Sequence, residues 1–150
     1  MNTNRYTPAK IVEATEEKLK FSIPLYQRLF SWGEEQIKGL LNDLKNHFST
    51  SKNTPYYLGM LSCIKSGDHY DLIDGQQRFT VMTLIAIVLR KYYDKWNDFL
   101  DKGERLRFIS RTKDNEYLNS VINNLGTDEC DPNWKMKDGI KIISDYMDGQ

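Results

Sequence analysis

The segment YDLIDGQQRFTVMTLIAIV, at positions 70–88, constrains the fold more than any other part of the chain, because five polar residues separate two apolar runs. The second run is apolar on nearly all sides of a helix, which is typical of a helix buried in the middle of a domain. We therefore predict a central helix from Gly75 to about Trp96. The apolar stretch Phe79–Leu89 is interrupted by two threonines and is too short to cross a bilayer, so we expect no membrane segment.

The composition favours one globular domain without a general affinity for nucleic acid. The chain has 150 residues, of which 39% are hydrophobic, and its 21 basic residues balance 21 acidic ones. Such a balance provides no net field toward an anionic partner, so binding to nucleic acid would need a local patch. Cys63 and Cys130 form neither a disulfide framework nor a CxxC pair, which predicts a reducing, cytoplasmic location.

Hydrophobic periodicity predicts both helices and short strands, with a C-terminal half that is mainly helical. Ser31 and Glu34 have the spacing of a capping box, at the start of the helix predicted from about Trp32. The other predicted elements are, in chain order, a short helix after Pro8, a half-buried strand that alternates Leu19, Phe21 and Ile23, a helix from about Trp32 to Phe48, a loop over 49–55, a hairpin of strands within 56–65 and 70–73, the central helix, a short strand in 105–109, and two helices marked by Tyr117 to Leu125 and by Ile140 to Met147.

We expect residues 1–150 to form a single domain, with a core motif region at 20–96 and a helical part at 105–150. The chain stops at DYMDGQ directly after a helical pattern, which suggests the N-terminal fragment of a longer protein. In that case Ile140, Ile143 and Met147 would lack part of their apolar cover, and the exposed surface would favour self-association as a homo-oligomer.

The polar cluster DGQQR has two physical interpretations. Asp74 can cap the central helix and Gln77, three residues on, can complete a capping box. Alternatively the cluster binds an anion: Gly75 permits close approach, Gln76 and Arg78 add donors, and the helix N-terminus attracts negative charge. Arginine can clamp a phosphate in bidentate fashion. The stretch is therefore suited to phosphate, although it lacks the GxxxxGK[ST] loop.

A second polar group, Tyr26, Gln27 and Arg28, lies in IPLYQRLFSW between a strand end and a helix. Aromatic residues in such positions usually belong to the core and arginines to the solvated surface. On its own this group does not indicate a functional site.

Taken together, IPLYQRLFSW, YYLGML and YDLIDGQQRFTVMTL strongly resemble the DGQQR-motif domain at the N-terminus of GmrSD-type, modification-dependent (type IV) restriction endonucleases and of SspE-like phosphorothioation-sensing defence proteins. The resemblance is specific over residues 20–90 and looser beyond. Phe79 stands where the family usually has leucine, and Val81 where it usually has a second threonine; both changes are mild.

The resemblance implies an α+β fold related to the ParB N-terminal and sulfiredoxin domains, with helices packed around a small mixed sheet, and a regulatory domain that binds and hydrolyses nucleoside triphosphate with Mg²⁺. It also implies a DNA partner, reached through a separate C-terminal HNH-type nuclease domain. Asp74 is the first candidate to hold Mg²⁺ and Asp43 a weaker one. By the resemblance, the nucleotide-binding residues would be Gly75, Gln76, Arg78, Tyr26, Gln27 and Arg28, and the catalytic residues Asp74, Gln77 and Arg78.

Two rival functions remain open. A ParB-like module would contact DNA without hydrolysis, and a group of basic residues supports it: Lys102, Arg105, Arg107, Arg111 and Lys113. A sulfiredoxin-type enzyme needs a nucleophilic cysteine at the helix start, but Gln76–Arg78 stands there and Cys63 resembles an apolar strand residue. Neither His47 nor His69 lies in a recognisable metal constellation, so we expect no nuclease centre in this chain.

Overall fold

The computed structural model describes residues 5–14, 18–24, 29–109, 111–127, 130 and 134–149. In this part of the chain, four strands form one sheet in the order β2-β3-β1-β4. The strands are β1 (Phe21–Ile23), β2 (Ser62–Ser66), β3 (His69–Asp74) and β4 (Leu106–Phe108). β1 runs parallel to β3 and β4, whereas β2 and β3 form the predicted antiparallel hairpin. The predicted α+β class with a small mixed sheet is confirmed.

Six α-helices surround the sheet in the described residues. They are α1 (Pro8–Glu13), α2 (Glu34–Ser51), α3 (Gln76–Leu89), α4 (Trp96–Leu100), α5 (Thr112–Ile122) and α6 (Trp134–Asp148). None of the helices in this part of the chain combines the length and the apolar character needed to cross a bilayer.

The predicted central helix is α3, and it is buried along almost its whole length. The ring of Phe79 lies 4.8 Å from that of Phe21 on the sheet, while α6 packs against another side of α3. The hydroxyls of Thr80 and Thr83 donate to carbonyls one turn earlier, at 2.7 and 3.0 Å, so neither is unsatisfied. The helix ends at Leu89 rather than near Trp96, because the chain turns there and a separate helix follows.

Strand β1 departs from the predicted half-buried pattern. Its central residue, Ser22, is 3% exposed, and Phe21 and Ile23 on either side are also buried. β1 is an inner strand between β3 and β4, so its neighbours and their side chains restrict solvent access on both faces. Alternation predicts which side chains share a face but does not reveal that the strand is central.

The predicted start of α2 is wrong. Gly33, not Ser31, occupies the N-cap position, and the Gly33 N–H donates to the Gln36 side chain at 3.0 Å. Ser31 is instead bonded to Gln77 of α3, 46 positions along the chain. The hairpin is also shorter than predicted: β2 begins only at Ser62, and residues 56–61 approach it as an irregular segment.

The C-terminal helices are held to the core. Arg90, just after α3, donates to the carbonyl oxygen of Val121 at 2.7 Å and to that of Ile122, and so caps the end of α5. On α6, Ile143 is inaccessible to solvent. Ile140 and Met147 are partly buried against the core. The expectation that Ile143 would lack cover is therefore wrong.

Candidate functional site

The DGQQR segment lies where β3 passes into α3. β3, β1 and β4 are parallel, so their carboxyl ends meet at the same edge of the sheet. In open sheets of parallel strands, ligands bind at this edge. Asp74 ends β3, Gly75 is the N-cap of α3, and the other three residues form the first helical turn.

Gly75 makes the turn between strand and helix possible. Its φ of 85° and ψ of 13° lie in the left-handed region, which glycine adopts without steric cost. A Cβ at this position would overlap the side chain of Leu61 and lie 2.9 Å from the carbonyl oxygen of Met60. The segment before β2 therefore packs directly on the backbone of the motif.

The first turn of α3 has unused backbone donors. Asp74 Oδ1 accepts the N–H of Gly75 at 2.8 Å, but no side chain caps the helix. Within the described residues, the N–H groups of Gln76, Gln77 and Arg78 have no acceptor. The predicted capping box of Asp74 and Gln77 is therefore wrong, and the positive end of the helix dipole is left without a side-chain partner.

Gln77 has a different task from the one that a capping box would give it. The side chain is 8% exposed. Its Oε1 accepts the N–H of Ser31 at 2.9 Å and its Nε2 donates to the carbonyl oxygen of Leu29 at 3.0 Å. Both ends of the amide are thus committed to the backbone that leads from β1 to α2, and Gln77 fixes this backbone to the start of α3.

Gln76 similarly reaches back to β3, where its Nε2 donates to the carbonyl oxygen of Ile73 at 2.8 Å. Tyr26, Gln27 and Arg28 lie outside the described residues. The residue that follows them, Leu29, is held at the start of α3 by Gln77.

Arg78 is the exposed cation of the motif. In the part of the chain that the structure describes, no carboxylate forms an ion pair with its guanidinium. The side chain lies against Gly59, where an added Cβ would be 2.9 Å from both Cδ and Nε of Arg78 and 3.1 Å from Cζ. Gly59 also has a φ of 136°. Sequence reasoning missed this contact; the only signal was a glycine in YYLGML.

The residues present can accommodate a magnesium ion only in part. Asp74 is exposed, and one of its two oxygens is engaged by Gly75. Asp43 lies on an exposed part of α2. The described residues contain no group of three or more His, Cys, Asp or Glu side chains arranged to hold a metal ion. A single carboxylate suits Mg²⁺ that is bound mainly through phosphate oxygens and water.

The basic residues of positions 102–113 do not form one surface. Arg105 is 4% exposed and donates to the carbonyl oxygens of Phe99, at 2.8 Å, and of Leu19. Burial lowers the pKa of this guanidinium. Arg107, in contrast, is exposed on β4. Arg105 therefore supports the fold and is not available to a DNA backbone.

The cysteine and the histidines that a sulfiredoxin-type enzyme or a nuclease would need lie outside the DGQQR segment. Cys63 is exposed on the edge strand β2 and not at a helix start. His47 Nε2 lies 2.6 Å from the carbonyl oxygen of Thr54, and His69 lies between Asp68 and Asp71, at 3.1 and 3.2 Å.

Comparison with known families finds one whose model matches most of the chain. The model of the N-terminal domain of GmrSD restriction endonucleases matches residues 9–149. A search of curated proteins finds no match. Because the family match spans nearly the whole chain, the chain belongs to the GmrSD restriction endonuclease N-terminal domain family, whose members act in DNA restriction.

Proposed function

We propose that this domain binds a nucleoside triphosphate at the start of α3, hydrolyses it, and thereby regulates a modification-dependent DNA restriction protein. The observation that carries the proposal is that, among the described residues, the guanidinium of Arg78 has no ion pair and three N–H groups at the same helix end have no acceptor. Backbone donors, the helix dipole and a guanidinium together favour a multiply charged phosphate group.

The two glycines support the same proposal, because each permits a close contact with its bare backbone. Gly75 allows the helix to begin directly after the strand. Gly59 provides bare backbone on which the Arg78 side chain lies. A guanidinium supported in this way loses less conformational freedom when it binds a phosphate.

The proposed hydrolysis assigns a role to three side chains of the motif, Asp74, Gln77 and Arg78. Arg78 stabilises negative charge on the transferred phosphoryl group, and the free oxygen of Asp74 orients water or a metal ion. Asp74 would be the residue that holds Mg²⁺, and the bound ion would neutralise phosphate charge. Gln77 holds Leu29 and Ser31, which follow β1, at the start of α3. In the proposal, Tyr26, Gln27 and Arg28 contribute to nucleotide binding.

Calorimetric titration with a non-hydrolysable triphosphate and Mg²⁺ tests the proposal. A charge-assisted bond is worth roughly 1.5–3 kcal/mol, so Arg78→Ala should weaken binding about tenfold to a hundredfold. Arg78→Lys should recover part of the loss, since an ammonium cannot bond in bidentate fashion. The melting temperature without ligand should stay nearly unchanged, because Arg78 is exposed.

Lys137→Ala is the matched control, because it removes an exposed charge from α6. It should bind the triphosphate like the unmodified chain. Equal affinity in Arg78→Ala would remove the proposed site. If the chain bound duplex DNA with a steep salt dependence and bound no triphosphate, the ParB-like DNA-contacting alternative would replace the proposal.

A further inference from the structure

A groove of about 270 Å³ lies beside β1 and β4, and it shares no lining residue with the DGQQR segment. Phe21 faces α3, so its neighbour Ser22 points to the opposite face of the sheet. Ile64 and Ile73 lie on the same face as Ser22 and are 62% and 37% exposed, so this face is open to solvent. The polar residues that line the groove are Lys20, Ser22, Asp68, His69, Arg107 and Asn115.

The hydroxyl of Ser22 has no protein partner among the described residues and lines the groove. The residue is 3% exposed, yet its side chain forms no hydrogen bond with any other residue that the structure describes. A hydroxyl that has no protein partner can donate a hydrogen bond to water or to a ligand in the groove. The Ser22 hydroxyl is therefore available to a ligand that enters the groove.

Arg107 provides a positive charge next to this hydroxyl. Ser22 and Arg107 are direct neighbours in the parallel pairing of β1 and β4. Arg107 is exposed, and within the described residues no carboxylate pairs with it. Lys20, two positions before Ser22, points to the same face and contacts Glu104 only at 3.8 Å.

Two carboxylates near the groove, those of Asp68 and Asp71, contact His69. Asp68 Oδ1 lies 3.1 Å from His69 Nδ1, and Asp71 Oδ1 lies 3.2 Å from His69 Nε2. Both carboxylates contact the imidazole; the hydrogen bond from His69 lowers the pKa of the Asp68 carboxyl, and the charge of Lys20 adds to this shift. On the β4 side of the groove, Arg107 and the hydroxyl of Ser22 remain as donors.

We propose that this groove is a second oxyanion site, which binds a phosphate group between Arg107, Lys20 and the hydroxyl of Ser22. A phosphate accepts from a hydroxyl and from a guanidinium at the same time, and it would supply the negative charge that Arg107 lacks among the described residues. The site does not depend on the proposed function of the DGQQR segment.

Titration of the ¹⁵N-labelled chain with inorganic phosphate, followed by amide chemical shifts, tests the proposal. Saturable shifts are expected at residues 20–22 and 106–109. Arg107→Ala should weaken the response at these residues about tenfold or more, whereas Lys137→Ala should leave it unchanged. Arg78→Ala should also leave it unchanged, which separates this site from the one at α3.

Ser22→Ala tests the role of the hydroxyl. Because the hydroxyl has no protein partner, its removal should weaken phosphate binding several-fold and leave the melting temperature equal or higher. A lower melting temperature with unchanged phosphate binding would show that Ser22 is structural. Absence of saturable shifts at 20–22 and 106–109, or an equal response in Arg107→Ala, would overturn the proposal.

The source of the phosphate group follows from competition in the same experiment. If the groove takes a phosphodiester of DNA, a short duplex should displace inorganic phosphate, and Arg107→Ala should lower the salt slope of duplex binding by about one. If it takes a phosphate carried by a small molecule, pyrophosphate should displace inorganic phosphate and the duplex should not.

Discussion

At the scale of single residues, the guanidinium of Arg78 depends on the bare backbone of Gly59. Gly59→Ala would place a methyl group 2.9 Å from two side-chain atoms of Arg78 and would also strain a backbone with φ of 136°. We expect Gly59→Ala to weaken triphosphate binding about tenfold in the unmodified chain and hardly at all when Arg78 is already alanine. A double-mutant cycle measured by calorimetry checks this coupling.

Gly67→Ala is the control for backbone strain, because Gly67 also has a positive φ, of 65°, but no atom lies within 4 Å of its added Cβ. It should lower stability without changing triphosphate affinity. Equal losses of affinity from Gly59→Ala with and without Arg78 would show that the glycine acts through general strain and not through the guanidinium.

Two arginines of the same strand region should differ sharply in their effect on stability. Arg105 is buried and donates to the carbonyl oxygens of Leu19 and Phe99, whereas Arg107 is exposed. Arg105→Met leaves buried acceptors unsatisfied and should cost about 3 kcal/mol, while Arg107→Met should change the free energy of unfolding by about 0.5 kcal/mol or less. Urea unfolding of both variants measures the difference, and equal costs would contradict the structural role of Arg105.

The roles of individual residues were predictable only where they depend on neighbours in the chain. The motif DGQQR could be identified as a polar cluster at a helix start, and its left-handed turn fits a glycine. The bonds of Gln77 to Leu29 and Ser31, by contrast, join residues 46–48 positions apart. A spacing rule cannot reveal these contacts, since they exist only once β1 and β3 lie side by side.

At the scale of elements, two helical glycines allow a matched test of packing. An added Cβ at Gly39 of α2 meets no atom within 4 Å, whereas at Gly139 of α6 it lies 2.9 Å from Leu84 Cδ1. Both substitutions by alanine gain helix propensity, so Gly39→Ala should stabilise the domain by about 0.5–1 kcal/mol. Gly139→Ala should instead destabilise it by about 1 kcal/mol or more, because overpacking outweighs the gain.

Thermal or urea unfolding of the two variants gives the sign of each change. If Gly139→Ala were as stabilising as Gly39→Ala, the close contact between α6 and α3 would not exist in solution. Amide exchange gives a second measure, since α6 should be protected nearly as well as α3 if the two helices pack as one unit.

The elements themselves were largely predictable, and the reasons are physical. Apolar residues repeat at helical spacing in α2, α5 and α6, and α3 is apolar on nearly all sides. The pattern of apolar residues therefore predicts these helices. Their ends were less predictable: Ser31 has the right spacing for a cap, but its N–H is taken by Gln77. Tertiary bonds therefore decide between local alternatives that the sequence leaves equal.

At the scale of the whole molecule, the mixed sheet separates two polar regions. The DGQQR segment lies at the carboxyl end of β3, where α3 begins, and the groove at Ser22 lies on the face that α3 does not cover. β1 joins them, because Ser22 belongs to it and the chain that follows it is held by Gln77. The inner position of this three-residue strand accounts for the unexpected burial of Ser22.

The last prediction concerns the activity of the chain as a whole: it should cut no DNA by itself. Metal-dependent nucleases of the HNH type need a histidine base beside metal ligands. His47 is bonded to the carbonyl oxygen of Thr54, His69 lies between two aspartates on the open sheet, and the described residues contain no cluster that could hold a metal ion. Purified protein incubated with modified and unmodified plasmid in Mg²⁺ or Mn²⁺ should leave both intact, with or without triphosphate. Cleavage that His47→Ala or His69→Ala abolishes would contradict this prediction and would move the catalytic centre of restriction into this domain.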